Sequence, residues 1–246
     1  MSFFDQLKRS AAIAKKDLRI YYFRGPVIIQ GLLIPAFLFL SFSFRRDVAL
    51  DFLLSGLVGM ALFFAVSAIT PVIAPWETRM KTFERLISCP ISLWAILLGD
   101  IMASMLFGLF ITLFILVASV IILGAQIITL PLLAGIMAGS FCFSAFGTLI
   151  SAPPADKPSD IMLISTLIKF PLIFISGVFA PLYEMGAARF LSYISPLTYY
   201  TDLVRHAMIG EAAFPPATNV LALAGFAVVL YSAAVAWHRK NLDKRF

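Results

Sequence analysis

Charged residues are scarce in this chain: Asp, Glu, Lys and Arg together make up 13% of its 246 residues. Soluble domains carry about a quarter charged residues, so this chain has too few charges to cover a soluble surface. Residues 101–155 contain none of the four types, and neither do residues 212–238. A helix needs about 20 apolar residues to cross a bilayer core of about 30 Å, and both runs exceed that length. The sequence therefore predicts an integral membrane protein.

The short segments of alternating polarity that a transmembrane barrel requires are missing. Lipid offers no partner for free backbone N–H and C=O groups, so the spanning segments are predicted to be helices. The net charge of +6 does not indicate nucleic-acid binding, because most of the cations flank apolar stretches and set topology. We expect an all-α protein that contacts membrane lipids and has no nucleic-acid partner.

Motifs for chemistry are also missing. No lysine follows a glycine, so the chain has no Walker A loop and no ATP site of its own. His206 and His238 are too isolated to indicate a metal site, and Cys89 and Cys142 form no CxxC pair. Carboxylates at mid-span, which a proton- or sodium-coupled carrier usually needs, are not found. We predict no catalytic residue, no metal and no cofactor in this chain, and hence no energy source.

Six apolar stretches are predicted to span the membrane as helices, so that 1–246 forms a single transmembrane domain. They cover residues 26–44, 52–74, 92–123, 131–151, 161–180 and 218–237. Polar or turn-forming segments separate several of them, at 45–51, 124–126 and 153–160.

The N-terminal segment 3–24 is predicted to be an amphipathic helix that lies in the headgroup layer. Apolar residues recur at spacings of three and four, which places them on one helical stripe: Phe4, Leu7, Ala11, Ala14, Leu18 and Tyr21. Basic residues cluster on the other side: Lys8, Arg9, Lys15, Lys16 and Arg19. We expect the stripe to enter lipid while the basic side chains reach toward water.

The distribution of cations predicts that both termini are cytoplasmic. With the N-terminus inside, fourteen Lys and Arg lie on the cytoplasmic side, in segments 3–24 and 76–90, at Lys157 and in the C-terminal tail. Four lie outside: Arg45, Arg46, Arg189 and Arg205. Because cytoplasmic loops carry the excess of Lys and Arg, this bias predicts a multi-pass protein of the cell membrane, inner or plasma.

Segment 76–90 carries the densest internal cluster of charges and has two interpretations. It is either a solvated loop or a short helix under the membrane that docks on a partner protein. Its length, its aromatic residues and its closing proline favour the helix. The residues predicted to dock are Trp76, Glu77, Arg79, Lys81, Phe83, Glu84, Arg85 and Pro90.

Segment 181–217 is too long for a hairpin and too apolar for a free loop. Tyrosines and short helical stretches fit a re-entrant segment that dips into the outer leaflet. It is either a structural clasp or a gate for substrate, and Asp202 and Arg205 are spaced to pair on one helix face. The candidate residues of this outer segment are Glu184, Pro196, Tyr199, Tyr200, Asp202 and Arg205.

Two charged residues fall at or inside predicted spans. Lys169 lies within 161–180, and a charge inside a span is a functional-site hypothesis by default. The alternative, which we favour, is that Lys169 snorkels to the cytoplasmic surface. Asp100 lies near the start of 92–123, and we expect it to pair with a basic neighbour.

These features together resemble a known family, the membrane permease subunits of ABC type-2 exporters. The order is similar: an amphipathic elbow helix, two spans, a coupling helix, four more spans, and short helices before the last. The stretches that carry the resemblance are TFERLISCP (82–90), SGVFAPL (176–182) and SPLTYYTDLVR (195–205). The pattern covers nearly the whole chain.

The resemblance implies a transport subunit that pairs with a second permease subunit and binds two copies of a cytoplasmic ATPase; we expect a homodimer, and a heterodimer stays open. ATP and Mg would be bound by that partner, and 76–90 would dock in a groove on it as the coupling helix. Substrates in this family are lipophilic drugs, lipids, lipid-linked glycans and sometimes peptides. Two other functions stay open on the residues alone: a multi-span scaffold or assembly factor that transports nothing, and an ion-coupled carrier that depends on Lys169.

Overall fold

The structure, a computed structural model, describes residues 2–22, 25–44, 49–123, 129–155 and 157–242. Every regular element in these ranges is a helix, which confirms the predicted all-α class. Several residues used in the sequence-based prediction lie outside the described ranges: Arg24, residues 45–48 and 124–128, Asp156, Lys244 and Arg245.

The α-helices of the described residues are α1 (Phe3–Asp17), α2 (Gly25–Ser43), α3 (Leu50–Ser67), α4 (Thr70–Arg79), α5 (Thr82–Ser88), α6 (Leu93–Leu123), α7 (Leu130–Ile150), α8 (Pro158–Ile175), α9 (Arg189–Ser192), α10 (Pro196–Ile209) and α11 (Pro216–Lys240). A π-helix, Leu18–Tyr22, continues α1, and a 3-10 helix, Gly186–Ala188, precedes α9. Pro158, Pro196 and Pro216 begin their helices, because the first helical N–H has no partner and its loss costs nothing there.

Five helical stretches of the described residues are long and apolar enough to cross a bilayer: Leu50–Arg79, Leu93–Ile121, Leu130–Ile150, Pro158–Ile175 and Pro216–Lys240. Within α2, the described apolar stretch is the shorter Gly31–Ser41. The chain is therefore a helical, membrane-embedded protein.

The second predicted span, 52–74, differs from the structure because it is built from two helices. α3 ends at Ser67, and α4 begins at Thr70 and continues to Arg79. The physical reason is Pro71, which has no N–H to donate to the carbonyl four residues earlier, at Ser67, and whose ring crowds that carbonyl. The sequence-based boundary is thus too early at its C-terminal end, and the helix enters the segment assigned to 76–90.

The fifth predicted span, 161–180, also differs, since α8 ends at Ile175. Residues 176–180 form a turn in which Gly177 has φ +76°, a conformation that favours glycine. This turn returns the chain toward the bundle. The backbone carbonyls of Gly177 and Val178 accept hydrogen bonds from the Arg205 side chain, which is described below.

α3 is the central helix of the bundle and is buried almost throughout. It packs against α2, α6, α7 and α10, while α7 runs along α11 and α1 runs along α6. Edge-to-face aromatic contacts join α3, α7 and α10: the ring centroids of Phe63 and Phe143 lie 5.1 Å apart, and those of Phe143 and Tyr200 lie 5.9 Å apart. Such edge-to-face contacts contribute about 0.5–1.5 kcal/mol each beyond burial.

The bundle has two ends, which we name by their contents. The elbow end contains α1, α5 and the C-terminal part of α11, where Asn241 Nδ2 donates to the Ala152 carbonyl at 3.2 Å. The distal end contains the start of α3 and residues 176–215. The two candidate sites predicted from sequence lie at opposite ends.

Candidate functional site

The segment after α4 forms a helical corner at the elbow end. α4 stops at Arg79, the chain turns through Met80 and Lys81, and the seven-residue α5 follows. Lys81 lies in the left-handed region with φ 55°. The Thr82 hydroxyl donates to the Glu77 carbonyl at 3.2 Å, which ties the two helices together. The predicted docking segment 76–90 is therefore not one helix but the end of α4, a tight turn and α5.

One side of α5 is anchored in the protein and the other is exposed. Phe83 is 1% exposed and forms a small core with Ile13 of α1 and Ile96 of α6. The other side of α5 and the turn before it face outward: Met80 is 73% exposed, and Lys81, Glu84, Arg85 and Ser88 are exposed as well. We call these five residues the α5 surface. A charged, exposed surface held rigidly by one buried aromatic ring suits contact with another protein.

The predicted docking residues divide between that surface and its support. Lys81, Glu84 and Arg85 belong to the α5 surface, and Arg79 is exposed beside it. Three others fasten the corner to α1 and the π-helix: Trp76 stacks on Tyr21 at 5.8 Å, Glu77 is buried, and the Pro90 carbonyl accepts from Arg9. Glu77 and Phe83 are thus supporting residues rather than contact residues.

A buried charged cluster connects α1, α4 and α6. Lys16 forms ion pairs with Asp17, at 2.9 Å, and with Glu77. The carboxyl group of Asp17 lies beside that of Asp100 on α6, and both residues are at least 97% buried. Burial raises the pKa of Asp17 above its usual range, although the charge of Lys16 opposes the shift. The prediction that Asp100 pairs with a basic residue is wrong for the described residues, since no Lys or Arg nitrogen among them lies within 4.0 Å of its carboxyl group.

The side of α1 that packs on the bundle is mainly polar, and much of the predicted apolar stripe lies outside it: Phe4, Leu7 and Ala11 are exposed, whereas Ala14 is buried. Its buried residues are Gln6, Ser10, Ile13, Ala14 and Asp17, while Phe3 and Phe4 are exposed. The Ser10 hydroxyl donates to the Ala95 carbonyl at 2.6 Å, and Gln6 Oε1 accepts from the Ser92 N–H at 2.9 Å. Gln6, Ser10, Ile13 and Asp17 recur at helical spacing, so this mainly polar stripe is the sequence pattern that could have predicted the buried side of α1.

At the distal end, Asp202 joins α10 to the start of α11. Its two carboxylate oxygens accept from the N–H groups of Ala213, at 2.7 Å, and Phe214, at 3.0 Å, and from Asn219 Nδ2 at 2.8 Å. Hydrogen bonds to a charged group contribute about 1.5–3 kcal/mol each. Asp202 therefore holds the connection between two helices in place.

Arg205 binds backbone rather than Asp202, so the predicted pairing on one helix face is wrong. Its Nη2 donates to the carbonyls of Gly177, at 2.6 Å, and Val178, at 3.1 Å. Its guanidinium carbon lies 3.8 Å from the ring centroid of Phe52, a cation–π contact. Asp202 and Arg205 thus act on different segments, and together they brace the distal end against α3, α8 and α11.

The other predicted distal residues are dispersed. Pro196 begins α10, Tyr200 is fully buried in the core, and Glu184 is exposed. The Tyr199 hydroxyl donates to the Tyr193 carbonyl at 3.0 Å. These four residues do not converge on one point.

Lys169 does not snorkel, since it is 4% exposed and its Nζ donates to the Ser67 carbonyl. That carbonyl is the one that Pro71 leaves without a helical donor. A lysine on the bare C-terminal carbonyl of α3 also complements the negative end of the helix dipole. The structure therefore gives Lys169 a role in supporting the α3–α4 break.

Comparison with known proteins identifies the family. No curated protein matches the chain. A family model described as "ABC-2 type transporter" matches residues 7–209, which include α5, the turn at 176–180 and the whole of α10. A membrane domain of this family is a transport subunit and is not itself catalytic. The chain therefore belongs to the ABC-2 type transporter family, as a membrane-embedded permease domain of an ABC transporter.

Proposed function

We propose that this permease is the membrane-spanning subunit of an ATP-driven exporter that moves a lipophilic or lipid-linked substrate out of the cytoplasm or the inner leaflet. In this proposal the elbow end is cytoplasmic, α2 is the first of six spans, and two copies of a separate ABC ATPase bind ATP and Mg. A second copy of the chain completes the transport path.

The observation that carries the proposal is the α5 surface. A protein without a Walker A motif needs an external motor, and the motor needs a rigid point of attachment. α5 offers that rigidity because Phe83 is inserted between α1 and α6. Motion of α5 is therefore transmitted to both helices.

The charged cluster supplies a second route from α5 into the bundle. Lys16 on α1 binds Glu77 on α4, only five residues before α5 begins. The carboxyl groups of Asp17 and Asp100 bring α6 into the same cluster. A displacement of the corner would reach α1, α4 and α6 together, which is what conversion of ATPase closure into a transport movement requires.

The experiment is charge reversal on the α5 surface, with Glu84→Lys combined with Arg85→Glu so that net charge is unchanged. The purified chain is tested for co-purification with its ATPase and for ATP-dependent transport. We expect affinity for the ATPase to fall at least tenfold, which corresponds to about 1.4 kcal/mol. The matched control combines Lys157→Glu with Asp160→Lys, two exposed residues at the same end of the bundle.

Two results would count against the proposal. Unchanged ATPase binding and transport in the Glu84/Arg85 variant would remove the docking role of α5. A chain that binds no ATPase at all would favour a non-transporting scaffold instead.

A further inference from the structure

Two adjoining cavities open at the distal end, on the side opposite the α5 surface. The first, of about 470 Å³, is lined by Arg189 and Arg205 among other residues. The second, of about 510 Å³, is lined by Asp51 and Glu184. Both volumes fall in the range of small-molecule sites, about 300–1,000 Å³. Their shared wall consists of Phe52, Pro181, Tyr183 and Glu211.

The first cavity contains a buried cation that forms no close ion pair, although Asp202 and Glu211 also line this cavity and attract it at longer range. Arg205 is 6% exposed, and its Nε–H has no hydrogen-bond acceptor among the described residues. Its Nη2 binds neutral carbonyls, and no carboxylate of the described residues lies within 4.0 Å of it. A buried charge without a close counter-ion is unfavourable, so an anionic group that contacts Arg205 in this cavity would be bound favourably.

Two carboxylates also line the first cavity, Asp202 and Glu211, and neither forms an ion pair with Arg205 within 4.0 Å. Asp202 also lines the cavity, but its carboxylate oxygens are already engaged by Ala213, Phe214 and Asn219. Arg189 adds a second guanidinium. A fork of N–H donors on arginine matches the geometry of a phosphate group.

The described residues of the second cavity carry the opposite charge. Asp51, Glu184 and Glu211 line it, and no lysine or arginine that the structure describes does so. Tyr183, on the shared wall, adds an aromatic ring to this cavity, whereas the Phe52 ring already contacts the Arg205 guanidinium. Carboxylates with aromatic rings bind an ammonium group by charge and by cation–π attraction.

We propose that the paired cavities bind a zwitterionic group in which a phosphate and an amine are separated by a short linker, as in a phosphoethanolamine lipid headgroup. The phosphate lies in the first cavity with Arg205 and Arg189, and the amine lies in the second with Glu211 and Glu184. The site is separate from the ATPase-docking role, so its test uses the permease alone.

The experiment measures binding of short-chain phosphatidylethanolamine and short-chain phosphatidylglycerol to the delipidated, purified chain by native mass spectrometry. Because phosphatidylglycerol lacks the amine, we expect the zwitterionic lipid to bind at least tenfold more tightly. Free phosphoethanolamine distinguishes the source of the group: binding as tight as that of the lipid indicates a soluble solute, and much weaker binding indicates a membrane lipid. Either outcome supports the paired site.

Variants separate the two cavities. Arg189→Gln removes an exposed charge and should weaken both lipids about two- to fivefold. Glu211→Gln should weaken the binding of phosphatidylethanolamine by a similar factor and should not weaken that of phosphatidylglycerol, because Glu211 also lines the first cavity and repels a phosphate there. Lys157→Gln, at the elbow end, is the control for general surface charge and should change neither. Arg205 is left intact because it also braces the backbone at Gly177 and Val178.

Three results would overturn the proposal. The first is equal affinity of the natural chain for the two lipids. The second is an equal loss of affinity for both lipids in the Glu211→Gln variant, and the third is binding of either lipid that does not saturate. Thermal unfolding of each variant shows whether a loss of binding is a loss of fold. Because no ATPase is present, these results do not depend on whether the chain is an exporter.

Discussion

Gly99 is the point at which α1 crosses α6, and an added methyl group there has a predictable effect. A Cβ at Gly99 would lie 2.7 Å from Ile13 Cβ and 2.8 Å from the Ser10 carbonyl oxygen, both on α1. Ordinary carbon contacts need about 3.5–4.0 Å, so α1 has to move by about 1 Å. Neither contacting atom is the end of a flexible side chain, and rotation of a side chain therefore gives no relief.

The change in the free energy of unfolding on Gly99→Ala follows from two opposing effects. Gly→Ala inside a helix gains up to about 1 kcal/mol from helix propensity. Overpacking costs about 1–3 kcal/mol. The 2.6 Å hydrogen bond from Ser10 to the Ala95 carbonyl is strained by the same movement, and a hydrogen bond of this kind contributes about 0.5–1.5 kcal/mol. We expect the Gly99→Ala chain to show the overpacking loss once propensity is subtracted.

The Gly225→Ala variant is the control that measures the helix-propensity gain alone. Gly225 lies inside α11, and a Cβ built there meets nothing within 4 Å. The propensity gain is shared by both variants, so the Gly99→Ala chain should be less stable than the Gly225→Ala chain by about 1–3 kcal/mol. For a chain of this size, each kcal/mol corresponds to about 2–4 °C in the unfolding midpoint.

The assay is thermal unfolding in detergent, followed by limited proteolysis of the N-terminal segment. Cleavage in α1 should accelerate in the Gly99→Ala chain and stay unchanged in the Gly225→Ala chain. Equal midpoints and equal proteolysis for the two variants would show that α1 is not held against α6 at this crossing.

Two further predictions concern buried carboxylates. Asp202→Asn should lower stability by about 3 kcal/mol, because one amide NH₂ replaces an oxygen that accepts a backbone N–H, and hydrogen exchange at Ala213 should accelerate; unchanged exchange would contradict the bracing role. Burial raises the pKa of Asp17, so its stabilising contribution is present at low pH and is lost as pH rises through the folded-state pKa. Asp17→Asn should therefore gain stability relative to the natural chain as pH rises from about 4 to about 8, measured as the unfolding midpoint of the variant minus that of the natural chain. A difference that falls with rising pH would refute the assignment. Lys16, whose pKa is raised by Asp17 and Glu77 against the opposing effect of burial, stays charged over this range.

Much of the fold followed from local composition. Uncharged runs longer than a bilayer core require spanning helices whatever their neighbours are, and Pro, Gly and charged segments mark where those helices end. Residues 92–123 were assigned on this basis, and α6 runs from Leu93 to Leu123. Where a boundary was misplaced, at Ser67, the cause was itself local: the effect of Pro71 on a carbonyl four residues earlier.

The partners of polar side chains did not follow, because they are remote in sequence. Lys169 donates to the carbonyl of Ser67, and Ser10 donates to that of Ala95. Helical periodicity relates only residues that are near in sequence, so it does not predict such partners. Asp202 and Arg205 illustrate the same limit, since their spacing favoured a pair, yet each side chain binds backbone groups elsewhere.

The sequence by itself determined that the chain is helical and membrane-embedded. That conclusion rests on hydrophobic length, which is a property of the chain alone. Only the tertiary structure decided which side of α1 is buried, how Phe83 anchors α5, and which charges meet at each end of the bundle. These outcomes depend on the three-dimensional approach of distant helices, where a buried polar group must find whatever partner the packing brings within hydrogen-bond distance.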